Sequence, residues 1–490
     1  MQHGVFPHAF KREISEERRP PTANKEDIAL MAHLMRRGGF GATRSELESL
    51  AEQGYEEIVE QLLDPGSQPP LDECLLYRIH PITEMPTQHY SGGQPNWLYH
   101  MVNTERPLQE KMVLFWHHVF ATSNDKVDNC DQLISQIEMF RRHGMGNYRE
   151  LLVQLAKDPA MIFWLDNNEN HKRAPNENWG RELLELFSLG VGNYTEQDVF
   201  ECSRAFTGWT IGAKMPRYPY GRFPWTFEFR PEDHDYTEKT FLGQTGKFNG
   251  EDIIDIIVRQ PACPRFISRH LYSFFVADEP QVPSWHVEPP RNPEAIEVMS
   301  LVFAKSGYEI KPVLRTLFNS DFFKEAAWQK VKSPIELVVG TLRLTREIEG
   351  PHPRLEATAS EAGYMGQEIV APPGVEGWQT GVEWISSGAQ ITRVNFVADR
   401  ISNVQLAGVR DIVHRVAAMG VAMTAEVLVE RCLDEMGPLE VSETTRMALL
   451  TQAESEEADN GAVEEDHAHL TGRIAAVLRL IAAAPEYQLT

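Results

Sequence analysis

Apolar residues recur at three- and four-residue spacing along most of the chain, which predicts a succession of amphipathic helices. The first begins after Asn24, a residue able to cap it, and places Ile28, Leu30, Met31, Leu34 and Met35 on one side. Gly38, Gly39 and Gly41 break it, and Thr43 with Glu46 three residues on has the form of a capping box for the next helix. A third runs from Tyr55 to Leu63 and stops at Asp64-Pro65-Gly66. After a Pro-rich connection over 66–95, the helical period resumes at Arg106-Pro107 and continues to Phe120, then over 128–142 and 147–157. Residues 211–248 change to aromatic, alternating pieces such as Thr226-Phe227-Glu228-Phe229, which predict a small β-hairpin excursion. Helices are expected again over 250–277, 292–324 and 333–349, then from Ile391 onward, closing with 470–483; a long loop is expected over 350–388. The fold class that follows is mainly α, a multi-helical globular array with small hairpins. It reads as one large domain over 25–490 behind an extended arm over 1–24.

Composition changes this picture little. Of the 490 residues, 42% are hydrophobic and 24% charged, enough apolar surface for a sizeable core. The formal net charge of −24 disfavours a nucleic-acid partner, which needs clustered Lys and Arg. The run over 454–466 concentrates carboxylates and reads as a solvated acidic loop. Five widely spaced cysteines at 74, 130, 202, 263 and 432 suggest neither a disulfide framework nor a metal knuckle. No stretch has the ~18 apolar residues of a membrane span. The first residues hold no apolar export core, so a cytoplasmic place is expected.

The densest chemistry lies in Pro175-Asn176-Glu177-Asn178-Trp179-Gly180-Arg181-Glu182-Leu183-Leu184-Glu185-Leu186-Phe187. Taken as a helix from Pro175 to Leu189, it puts Asn178, Glu182 and Glu185 on one face with Arg181 beside them. Two carboxylates one turn apart can share a proton or bridge a metal ion. The same residues also fit a structural role, because Glu177 with Arg181 and Arg181 with Glu185 are ordinary i,i+4 pairs and the asparagines can cap. Further candidates are His117 and His118, adjacent in an apolar helix, and His234-Asp235 in the excursion. His171, in the oxygen-rich loop Asp166-Asn167-Asn168-Glu169-Asn170, could serve a hard cation or simply a turn. Established templates are missing: there is no HExxH, no ExxH, no GxSxG, no phosphate-binding loop and no CxxCH.

Several stretches in order resemble the bacterial family known as domain of unknown function 1800. They are His33-Leu34-Met35-Arg36-Arg37-Gly38-Gly39-Phe40-Gly41, Trp116-His117-His118-Val119-Phe120, Asp158-Pro159-Ala160-Met161 and the Asn176–Phe187 segment. Thr207-Gly208-Trp209, His234-Asp235, Gly377-Trp378, Trp384-Ile385-Ser386 and the terminal Ala484-Pro485-Glu486-Tyr487-Gln488-Leu489 complete the series. The resemblance carries no activity. It implies a sulfatase- or phosphatase-like protein encoded nearby as partner, and, because many members are similar to secreted proteins, leaves an extracytoplasmic place open.

Two functional readings follow from the residues. One is a metal-assisted hydrolase in which His117 or His118, Glu182, Glu185, His234 and Asp235 hold a divalent metal ion. One carboxylate would be the general base, with Asn178 and Arg181 completing the site. The other is a non-catalytic helical scaffold whose polar cluster fixes the fold and which acts as partner to another protein.

Overall fold

The Pro107–Val119 helix begins with proline in its first turn, where the missing N–H costs nothing, and is then apolar almost all round. Such a helix has no face for water and is buried on every side: from Leu108 to Val119 only Gln109 and His118 are not fully buried. Trp116 is anchored by donating from its indole N–H to the Gly144 carbonyl at 2.7 Å, and it stacks on Phe120 at 4.9 Å. Burying an aromatic side chain of this kind contributes roughly 1.5–3 kcal/mol. The two charges the helix carries inside are both paired, Glu110 with Arg141 at 3.0 Å and Lys111 with Glu336.

Other helices assemble around this rod. In the computed structural model, which describes residues 24–81, 93–127, 129–212, 225–418, 423–455 and 467–490, the chain is mainly α-helical. The Ala262–Phe275 helix packs on Pro293–Lys305, and Ser387–Ile401 packs on both Pro334–Thr345 and His467–Ala483. Among the described residues the sheets are two small antiparallel pairs, Trp209–Gly212 with Thr226–Phe229 and Lys239–Phe241 with Gln244–Gly246. No described helix is long and apolar enough to cross a membrane. Residues 1–23 of the arm expected over 1–24, and the greater part of the acidic run, 456–466, lie outside the described residues.

Local signals act where expected. Asn24 accepts from the Asp27 N–H at 2.8 Å, and Thr43 with Glu46 forms a reciprocal capping box. Three expected segments are divided or shortened. The 250–277 pattern splits into Gly250–Val258 and Ala262–Phe275 at Pro261, and the 292–324 pattern breaks at Gly307-Tyr308, both in the left-handed region. The helix expected over 175–189 is Asn178–Glu185, because Asn170 and Asn176 turn the chain ahead of it by accepting from the N–H groups of Asn176 and Asn178. Inside the stretch expected to be loop, Leu355–Tyr364 is helical and buries Leu355, Thr358, Ala359 and Ala362.

Candidate functional site

The C-terminal turn of the Pro107–Val119 helix delivers two histidines to different surroundings. His117 points inward between Trp97 and Trp378, whose rings stand 5.4 and 5.3 Å away, and neither ring nitrogen has a hydrogen-bond partner among the described residues. Burial, with His118 adding to it, lowers its pKa to about 3, so it is a neutral ring at physiological pH. His118 is half-buried and stacks parallel to Trp378 at 6.3 Å. Its Nδ1 accepts from the Trp378 backbone N–H at 3.2 Å, which leaves the ring hydrogen on Nε2. Burial and the nearby Lys330 charge hold it at about 4.

This contact depends on Gly377. Its φ is +85°, and a side chain there would place Cβ 2.3 Å from the His118 carbonyl oxygen. The Gly377-Trp378 segment can therefore lie directly on the end of the helix only with glycine at that position.

On the other side of Trp378 a small cleft, open to solvent, is lined by His118, His270, Asp278, Lys330 and Glu336 with Trp285, Trp378 and Trp384 as walls. His270 comes from the Ala262–Phe275 helix and packs 4.6 Å from Trp285. Its Nε2 is buried without a partner among the described residues, and burial pushes its pKa well below the ordinary imidazole range. Lys330 stands 3.9 Å from Asp278 and 4.0 Å from Glu336, too far to donate a hydrogen bond to either. Asp278 is oriented by the Val331 N–H at 3.0 Å. Burial opposes a charge on Glu336, but Lys111 and Lys330 outweigh it and hold the carboxyl well below its ordinary range. Burial brings Lys111 down to about 8, with Glu336 acting against that shift. The cleft thus offers two neutral imidazoles and a loosely held ammonium group.

The other residues singled out in the sequence fall into two further places. On the Asn178–Glu185 helix, Glu182 is partly buried, and its pKa rises to about 7 through burial and then the charges of Glu185 and Glu376. Glu185 accepts from the Tyr194 hydroxyl at 2.7 Å. Arg181 turns away from Glu185 to pair with Glu177 at 3.2 Å and Glu196 at 2.8 Å, and Asn178 contacts Asp166 at 3.4 Å. Glu376 immediately precedes Gly377, so this helix looks onto the segment that covers His118.

The His234-Asp235 pair braces the hairpin. His234 donates from Nδ1 to the Thr207 carbonyl at 2.8 Å, and Asp235 pairs with Arg204 at 2.8 Å and donates from its backbone N–H to the Thr207 hydroxyl oxygen at 2.8 Å. The oxygen-rich loop is similarly occupied: Asn167 donates to the Trp209 carbonyl and Asn170 to the Ser203 carbonyl, each at 2.8 Å, while His171 meets Asp233 at 2.5 Å. Among the described residues no three His, Cys, Asp or Glu side chains stand together in an arrangement able to hold a metal ion. The six sequence-selected ligands are therefore distributed over the end of the Pro107–Val119 helix, the Glu182 helix and the hairpin.

His270, Asp278, Lys330 and Glu336 were not singled out from the sequence. The signal for Glu336 was present, since Ser333 and Glu336 form a capping box across Pro334. His270 and Lys330 carry no local pattern, because only the fold places them opposite His118.

The family model described as "Protein of unknown function (DUF1800)" matches residues 33–489. No curated protein and no solved structure matches the chain.

Proposed function

The chain belongs to the DUF1800 family, and from the geometry of the cleft we propose that it is a hydrolase acting on a small acyl substrate held between tryptophan walls. The observation that carries this reading is the meeting in one cleft of two neutral imidazoles and an ammonium group that stands between two carboxylates, at 3.9 and 4.0 Å, without a hydrogen bond to either. Because its Nε2 is buried, His270 would act through Nδ1, which takes a proton from water as the hydroxyl adds to the carbonyl. Lys330 then lies in the same cleft to stabilise the oxyanion. The protonated His270 then returns that proton to the leaving group, while His118, with hydrogen on Nε2, donates a hydrogen bond to it. The tryptophans supply the apolar, flat surfaces that fix a substrate body.

The sequence-derived metal-assisted hydrolase is narrowed by this reading. His118 stays within the catalytic set, whereas Glu182 and Glu185 serve at the neighbouring helix and His234 with Asp235 hold the hairpin.

Hydrolysis of p-nitrophenyl acetate and butyrate by the purified chain tests the proposal. His270→Gln and His118→Gln are expected to lower kcat/KM by ~100-fold or more each, the usual scale for general acid–base groups. Because burial holds His270 well below the ordinary imidazole range, the wild-type rate should persist well below the pH at which free imidazole loses its base form. Absence of hydrolysis, or equal rates in the wild type and both variants, removes the hydrolase reading.

A further inference from the structure

The Ala262–Phe275 helix brings a second reactive side chain to the cleft besides His270. Ser273 follows one turn later and also lines the cleft. Residues three apart on a helix are neighbours, with Cβ atoms ~5–6 Å apart, and helical side chains lean toward the N-terminus. Ser273 therefore leans toward His270. Both sit on one rigid element, so their spacing does not depend on a loop.

The hydroxyl of Ser273 is not committed to the backbone. A serine within a helix commonly donates to the carbonyl four residues back, as Ser135, Ser203 and Ser402 do at 2.7, 2.9 and 2.7 Å. Ser273 makes no hydrogen bond among the described residues. Ser268, earlier on the same helix, is also unbonded, but it is buried and does not line the cleft. On His270 the Nε2 atom is enclosed, whereas Nδ1 is accessible and has no hydrogen-bond partner among the described residues. Burial disfavours the charged form of this ring, which leaves a lone pair free to accept a proton. A free hydroxyl beside an imidazole with an open nitrogen is the pairing that nucleophilic catalysis uses. The hydrogen bond within such a pair often forms only when substrate is bound.

We propose that Ser273 is the nucleophile of this cleft and that hydrolysis passes through an ester on its hydroxyl. The proposal rests on the hydrolase reading and adds a covalent step ahead of the attack by water. The Ser273 proton passes to His270 Nδ1 as Oγ adds to the acyl carbonyl carbon, and the carbonyl oxygen takes up the displaced electron pair beside Lys330. Collapse of this adduct breaks the bond to the leaving oxygen, which receives the proton from His270 and departs as the alcohol. Water then adds to the Ser273 ester with the same imidazole as base. Oγ leaves with the returned proton, and the free acid is released.

Diisopropyl fluorophosphate, which phosphorylates activated serines, is the probe, with p-nitrophenyl acetate as substrate and the full chain throughout. The reagent is expected to abolish hydrolysis and to leave a phosphoryl group that peptide mass spectrometry places on Ser273; His270→Gln should take the label far more slowly. Ser273→Ala should lose roughly 1,000-fold or more in kcat/KM. Its Tm should match that of the wild type, because the hydroxyl bonds to no described residue. Should that variant not fold, the position of the label in the wild type decides. Hydrolysis by Ser273→Ala at the wild-type rate, or inhibition with the label on another residue, would overturn the proposal. If Ser273→Ala stays active while His270→Gln does not, water attacks the substrate directly and the hydrolase reading stands. A wild type that does not hydrolyse the ester overturns both.

Discussion

At Gly377 two constraints coincide: a left-handed backbone with φ of +85° and a Cβ direction that runs into the His118 carbonyl at 2.3 Å. Alanine there must either bear the strain or lift Trp378 from the histidine. Strain of this kind costs ~1–3 kcal/mol. Gly377→Ala is therefore expected to lower the free energy of unfolding by about that amount and to shift Trp378 fluorescence, because the indole loses its stack on His118. Urea titration followed by intrinsic fluorescence measures both; unchanged stability and spectrum would mean that the contact is not needed to hold the loop. The same residue-level logic explains why Arg181 was misread in part. An i,i+4 partner exists at Glu185, but the chain returns Glu196 to the same guanidinium, and that carboxylate is taken together with Glu177. Sequence spacing shows which partners are possible on a helix, and the following turn decides between them.

Among the elements, the Pro334–Thr345 helix joins local and long-range roles in one side chain. Glu336 completes the capping box by accepting from the Ser333 N–H at 2.8 Å and also neutralises Lys111 inside the Pro107–Val119 helix. Removing one member of a buried ion pair leaves its partner uncompensated, at a cost of ~3–5 kcal/mol. Glu336→Gln keeps the shape and hydrogen-bonding capacity for the cap, so its expected loss of that size in urea unfolding reports the Lys111 charge. Lys111→Met combined with Glu336→Leu should recover much of it, since the pair would be replaced by apolar bulk. A loss below ~1 kcal/mol in the single variant would show that Lys111 is not charged in the folded chain. Elements of this kind were legible to different degrees. Asn24, Thr43 and Pro107 announce helix starts through bonds made within one turn, so sequence alone suffices. The Leu355–Tyr364 helix buries mostly small residues, Ala359, Ala362 and Thr358, whose weak hydrophobicity hides its period. The cleft was half-legible: His118 is conspicuous in an apolar helix, whereas His270 and Lys330 approach it from segments more than 150 residues away.

Over the whole molecule, buried titratable groups pull stability in opposite directions with pH. His33, His117, His118, His234 and His270 all have lowered pKa values, each with burial as the first cause. The unfolded chain binds protons at these positions below about 6.5 while the folded chain does not, so each removes stability as pH falls through that value. Asp158 and Glu182, raised to about 7 by burial, and Glu435, also raised, act the other way, because their folded forms hold protons that the unfolded chain has released. Five groups against three leave the imidazoles ahead, and a loss of stability on acidification should set in near pH 6.5, before exposed carboxylates titrate. Each group contributes up to ~1.4 kcal/mol per pH unit. His117 isolates the effect, since both of its nitrogens lack partners and its neighbours are the rings of Trp97 and Trp378. Phenylalanine can occupy that site without leaving any hydrogen bond unmade. His117→Phe is expected to stay within about 1.5 kcal/mol of the wild type at pH 7, the range for shape-conserving core exchanges. It should also reduce the fall in stability between pH 6.5 and 5 by about one proton's worth. Urea midpoints at a series of pH values decide the matter: an unchanged pH slope, or a collapse of the fold at neutral pH, would mean that this imidazole makes a polar contact essential to the folded chain.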